Sequence, residues 1–79
     1  MNQSELSTVV KNANAFLKKQ FATFIECVWN EDQKCLIYQF KSDVDAEQFM
    51  LWKQTQGNQF RMEKHIYHAS LTAVREYRP

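Results

Sequence analysis

The chain has 79 residues, a net charge of +1, and only one Gly and one Pro. That length allows one small domain and not two, so residues 1–79 read as a single unit with a stability on the order of 4–8 kcal/mol. The charge excludes a global field acting on nucleic acid or membrane, and two Trp, three Tyr and six Phe with so little Gly and Pro exclude a disordered chain.

The first predicted element is a helix over residues 5–21, with Ser4 as its N-cap. Leu6, Val9, Val10, Ala13, Phe16, Leu17, Gln20 and Phe21 recur at the three-and-four spacing of one stripe, which reads as core-facing. Lys11, Asn14 and Lys18 take the other side.

A hairpin follows. Residues 23–29 and 34–40 are rich in β-branched and aromatic side chains, and Asn30, Glu31, Asp32 and Gln33 between them are turn formers. An even loop pairs Trp29 with Lys34, Cys27 with Leu36 and Ile25 with Tyr38. One face then carries Ile25, Cys27, Trp29, Leu36, Tyr38 and Phe40, and the other Phe24, Glu26, Val28, Cys35, Ile37 and Gln39. An odd loop would set Glu26 among Leu36 and Tyr38, so the even register is expected. Its consequence is that the two thiols point to opposite sides of the hairpin.

The apolar run CLIYQF stops at Lys41, and a helix over residues 46–55 is predicted almost at once. Asp45 with Gln48 fits a capping box, and Val44 with Phe49 fits a hydrophobic staple. Ala46, Phe49, Met50 and Trp52 supply the inward side, and Gly57 stands where a left-handed C-terminal cap belongs. Asp43, Asp45 and Glu47 sit at the N-terminal end, where the helix dipole favours negative charge.

Residues 60–77 fit two templates. Met62, Ile66, Ala69, Ala73 and Tyr77 follow helical spacing, yet Tyr67, Ala69, Leu71 and Ala73 alternate with His68, Ser70 and Thr72 as a strand would. The length without breakers favours a helix. The expected fold is therefore α+β: N-terminal amphipathic helix, antiparallel β-hairpin, short helix and C-terminal helix. The alternative makes the last segment a third strand, in the order α-β-β-α-β.

Function is less legible. A single Gly excludes glycine-rich phosphate loops, and no nucleotide or other cofactor is expected. His65 and His68 lack a third ligand at a recognisable spacing, and Cys27 and Cys35 are too far apart for a zinc pair, so no metal site is expected. Cysteines inside strands read as inert small hydrophobes, and no catalytic residue is expected. The start MNQSELSTVV shows no basic leader before an apolar block, no stretch is long enough to span a bilayer, and two free thiols suit a reducing cytoplasm.

One constellation carries forward. If residues 60–77 form a helix, Arg61, Lys64, His68 and Arg75 share a stripe that would contact an acidic partner or phosphates. The open hairpin edges also invite self-association as a homodimer. The expectation is a small non-enzymatic protein-binding or regulatory accessory protein, with another protein as partner and no membrane. A nucleic-acid-binding module using the C-terminal basic face is the alternative.

Overall fold

The computed structural model describes residues 2–78. Its elements are α1 (Gln3–Gln20), β1 (Phe24–Asn30), β2 (Cys35–Phe40), α2 (Asp43–Thr55), β3 (Met62–His68) and β4 (Leu71–Tyr77). The strands form one antiparallel sheet in the order β1-β2-β4-β3. The α+β class stands as expected, but the last segment is a hairpin and not a helix.

α1 starts earlier than its sequence pattern indicates. Asn2, not Ser4, is the N-cap: its side chain accepts the Glu5 amide proton at 2.8 Å. Leu17 is the one residue of the stripe that is fully buried, while Val9, Val10, Ala13 and Phe21 pack against the core more loosely. Phe16 remains 44% exposed and stacks on Trp52 of α2, 5.3 Å between centroids. α1 lies along the free edge of β1, where the Asn14 amide takes both backbone groups of Cys27: Oδ1 accepts its N–H at 2.9 Å and Nδ2 donates to its carbonyl at 3.0 Å. A polar side chain read as solvent-facing thus blunts an otherwise open strand edge.

The first hairpin keeps the expected even loop but is offset by two residues. Trp29 pairs with Leu36, Cys27 with Tyr38 and Asn30 with Cys35, so the loop is residues 31–34. An offset of two leaves every side chain on its face. The reason lies in the turn: Asn30 Oδ1 accepts the Gln33 amide proton at 2.9 Å, and Lys34 closes the loop at φ +54°. Further down, a bulge between Phe24 and Glu26 makes Ile25 the extra residue. It brings Phe24 into the core, with 7% exposure, beside Phe40, where Ile25 had been expected.

α2 also begins earlier, at Asp43. Ser42 is its N-cap, accepting the Asp45 amide proton at 3.2 Å, so Asp45 is the third helical residue and not the cap. The staple fails with it, since Val44 is 67% exposed. Asp45 instead accepts the Thr23 hydroxyl at 2.7 Å, tying α2 to the approach to β1. Gly57 at φ +80° ends the helix as expected; Asn58 N–H reaches the Lys53 carbonyl and Gly57 N–H the Gln54 carbonyl, the paired bonds of a Schellman cap.

The C-terminal segment misled because its strands are joined by Ala69 and Ser70 alone. Neither is a Gly, Asn or Asp, the usual markers of a two-residue hairpin turn. A register irregularity between Ile66 and His68 also shifts the alternation where it would have been counted. The alternative of one further strand was nearer, but it merged two strands into one. Ile, Tyr, Thr and Val favour the pleated sheet, and β4 inserts between β2 and β3 so that their ladders continue.

Both helices pack on one side of this sheet. Leu17, Ala46 and Phe49 meet Phe24, Cys27, Leu36, Tyr38, Phe40 and Val74 in one core. Phe49 is its hub, in contact with the rings of Tyr38, Phe40 and Phe21. The same side holds a fully buried carboxylate, Glu76. Arg78 donates to its Oε1 from Nε at 2.8 Å, with Nη2 equally close, and Tyr38 donates a weak bond at 3.4 Å. Lys53 of α2 lies 2.9 Å from Oε2 in an ionic contact that lacks the alignment of a hydrogen bond. Two cations around one buried carboxylate make its desolvation tolerable.

Candidate interaction surface on the open sheet face

The other side of the sheet carries no helix. The pairings arrange its side chains in three rows across β1, β2, β4 and β3. One row is Glu26, Gln39, Ala73 and His65; the next is Val28, Ile37, Arg75 and Glu63; the third is Asn30, Cys35, Tyr77 and Arg61. Tyr67 projects beside His65. The centre is aliphatic: Ile37 and Val28 are half-buried, and Cys35 and Ala73 are covered by their neighbours.

Around that centre, aromatic rings alternate with charged groups. Arg61 lies over the Tyr77 ring, 4.1 Å from its centroid, and pairs with Glu63, which accepts the Tyr77 hydroxyl at 3.2 Å. Arg75 donates from Nη2 to the Tyr67 hydroxyl at 2.6 Å, and His65 meets Tyr67 edge-to-face at 4.3 Å. Arg75 Nε is shielded from solvent and has no hydrogen-bond partner. Burial and the Glu63 contact raise the Tyr77 phenol above its ordinary value, which keeps it a proton donor to that carboxylate.

The four residues expected to share a basic stripe are divided by this geometry. Arg61 and Arg75 stand on the open face. Lys64 is on the helix side, pairing with Asp43 at 2.6 Å and Glu47 at 3.0 Å; hydrogen bonds to these two acids raise its pKa. His68 is at the end of β3, where its Nδ1 accepts the Ser70 amide proton at 3.1 Å. The stripe was a projection of the helix reading, and without the helix it has no counterpart. His65, Tyr67 and Tyr77 escape for the same reason, whereas Glu26 already belongs to this face in the hairpin reading; plain alternation through the Ala69–Ser70 turn would set Tyr67 and His65 opposite Thr72 and Val74, and only the irregularity between Ile66 and His68 brings them to the side of Tyr77.

The cysteines are free and buried, on opposite sides of the sheet as the register required. No cluster of three or more His, Cys, Asp or Glu suited to a metal occurs among the described residues. The carboxylates at the start of α2 are engaged with Thr23 and Lys64. A groove of about 860 Å³ runs between the N-terminal half of α1 and the edge of β1, lined by Leu6, Val10, Asn14, Glu26, Val28 and Trp29 among others. No helix of the described residues is long and apolar enough to cross a membrane. Comparison with known proteins gives no match, whether to a protein family, to curated proteins or to solved structures.

Proposed function

We propose that this chain is a small non-enzymatic binding protein, a regulatory accessory protein that docks on another protein through the open face of its sheet. The observation that carries the reading is one-sidedness: both helices serve one face, and the other presents Tyr67, Tyr77, Arg61 and Arg75 around Ile37 and Val28. Tyrosine and arginine over a partly desolvated apolar centre is the composition of interface hot spots. Two free thiols suit a reducing compartment such as the cytoplasm.

The test is capture from the native lysate with wild type, the face variant Ile37→Glu, and Phe16→Ala on the helix side. Partners held by wild type and Phe16→Ala but lost from Ile37→Glu support the reading. An identical set on all three overturns it.

A second reading, single-stranded nucleic acid on the same face, draws on the exposed rings of His65 and Tyr67 beside Arg75. Bases stack on such rings when a cation stands near the phosphates. Glu63 and Glu26 on the same face weigh against it. Phosphate contacts lose affinity steeply with salt and the captured material would vanish on nuclease treatment, which separates the two readings.

A further inference from the structure

We propose that the occupant of the open face is a second copy of this chain, in a two-fold dimer; this rests on the interaction-surface reading above. Two charges on that face single out a second copy. Arg75 on β4 has no carboxylate within ion-pair distance, and Glu26 on β1 has no cation, among the described residues. Every other Lys or Arg from Lys53 to Arg78 is matched: Lys53 and Arg78 by Glu76, Arg61 by Glu63, Lys64 by Asp43 and Glu47.

An isologous interface requires that residue i meet j while j meets i. A face holding one unmatched cation and one unmatched carboxylate satisfies that condition with itself. A uniformly acidic or uniformly basic partner would satisfy only one of the two charges. Arg75 and Glu26 stand two strands and one row apart, about 12 Å, and project side by side from one face, so they form no pair within one chain, whereas side chains of two facing sheets point toward each other across a similar span.

A two-fold axis lying along β2, between sheets about 10 Å apart, brings them together. It sets β2 on β2 and β1 of each copy over β4 of the other. Ile37 then meets Ile37, Val28 covers the aliphatic stem of Arg75, and Glu26 stands one row from the opposing guanidinium, within an arginine's reach. The pair forms twice, once on each side of the axis. A net charge of +1 leaves little repulsion between copies. Three strands offer a contact of roughly 14 by 20 Å, well below the standard interface. The dimer is accordingly weak, forming at protein concentrations on the order of 100 µM.

Sedimentation equilibrium up to about 1 mM tests it, with Arg75→Glu, Glu26→Arg and an equimolar mixture of the two. Wild type associates, and each reversal alone weakens association at least tenfold by setting like charges opposite each other. The mixture restores it, because one variant then carries two arginines and the other two glutamates. Circular dichroism checks folding; should either reversal fail to fold, Arg75→Gln and Glu26→Gln replace them, each expected to weaken association without rescue on mixing. Wild type that stays monomeric, reversals without effect, or a mixture that fails to recover overturns the second copy. A monomer that still loses a captured partner on Ile37→Glu would leave the interaction-surface reading standing; dimerisation insensitive to Ile37→Glu would overturn the second copy on this face, and an identical captured set on Ile37→Glu would overturn the interaction surface itself.

Discussion

Cys27 has two roles that pull in different directions. Its backbone is latched to Asn14 at the sheet edge, and its thiol is sealed in the core. Burial pushes that thiol from 9.0 up to about 12, and the nearby Glu76 carboxylate pushes the same way. The folded protein therefore keeps a proton that the unfolded chain releases near pH 9. The resulting stabilisation is complete below that pH and is lost as the pH rises toward the folded value, by up to about 1.4 kcal/mol per pH unit. Tyr38, raised by burial and then by Glu76, adds to the loss at higher pH. The unfolding free energy from urea titrations should fall by about 1–2 kcal/mol between about pH 7.5 and about pH 10 in wild type, and by clearly less in Cys27→Ala. Equal pH dependence in the two proteins would show that the thiol does not carry it.

At the scale of elements, the local signals were present in the sequence but attached to the wrong residues. Asp45 and Gln48 have capping-box spacing, which points to Asp45 as the cap of α2. Ser42 does the capping instead, and Asp45 is free to bond Thr23 across to the first hairpin. The choice was made by the chain's exit from β2: Lys41 N–H is still bonded to Thr23, so the helix can begin only beyond it. Ser42→Ala should cost about 1 kcal/mol in chemical denaturation, and Gln48→Ala, exposed and uninvolved, should stay within about 0.5 kcal/mol. The reverse ranking would restore the capping box. Gly57, by contrast, was legible outright, because the left-handed backbone that ends a helix suits glycine best.

At the scale of the molecule, one helix residue carries much of the fold. Phe49 is 1% exposed and touches the rings of Phe21 just beyond α1, Tyr38 and Phe40 of β2, and Trp52 of α2 itself. Phe49→Ala should cost about 3–5 kcal/mol, against a total on the order of 4–8 kcal/mol for a chain of this size. A melt of that variant should be broad and low, or absent; a loss below about 1 kcal/mol would mean that the helices are not seated on this core. What the sequence determined by itself was whatever depends on neighbours along the chain: the α+β class, the even hairpin parity and hence the divergent thiols, the existence of α1 and α2, and the glycine cap. Tertiary structure decided the rest. Residues 60–77 fit a helix and a strand about equally by spacing, and β4 became a strand because an unfilled ladder on β2 accepted it. That one pairing dissolved the basic stripe, sent Lys64 to the helix side and Arg75 to the open side, and created the face on which the functional reading now rests. Spacing along a chain specifies which side chains share a face of one element; only pairing between distant strands specifies which elements share a surface.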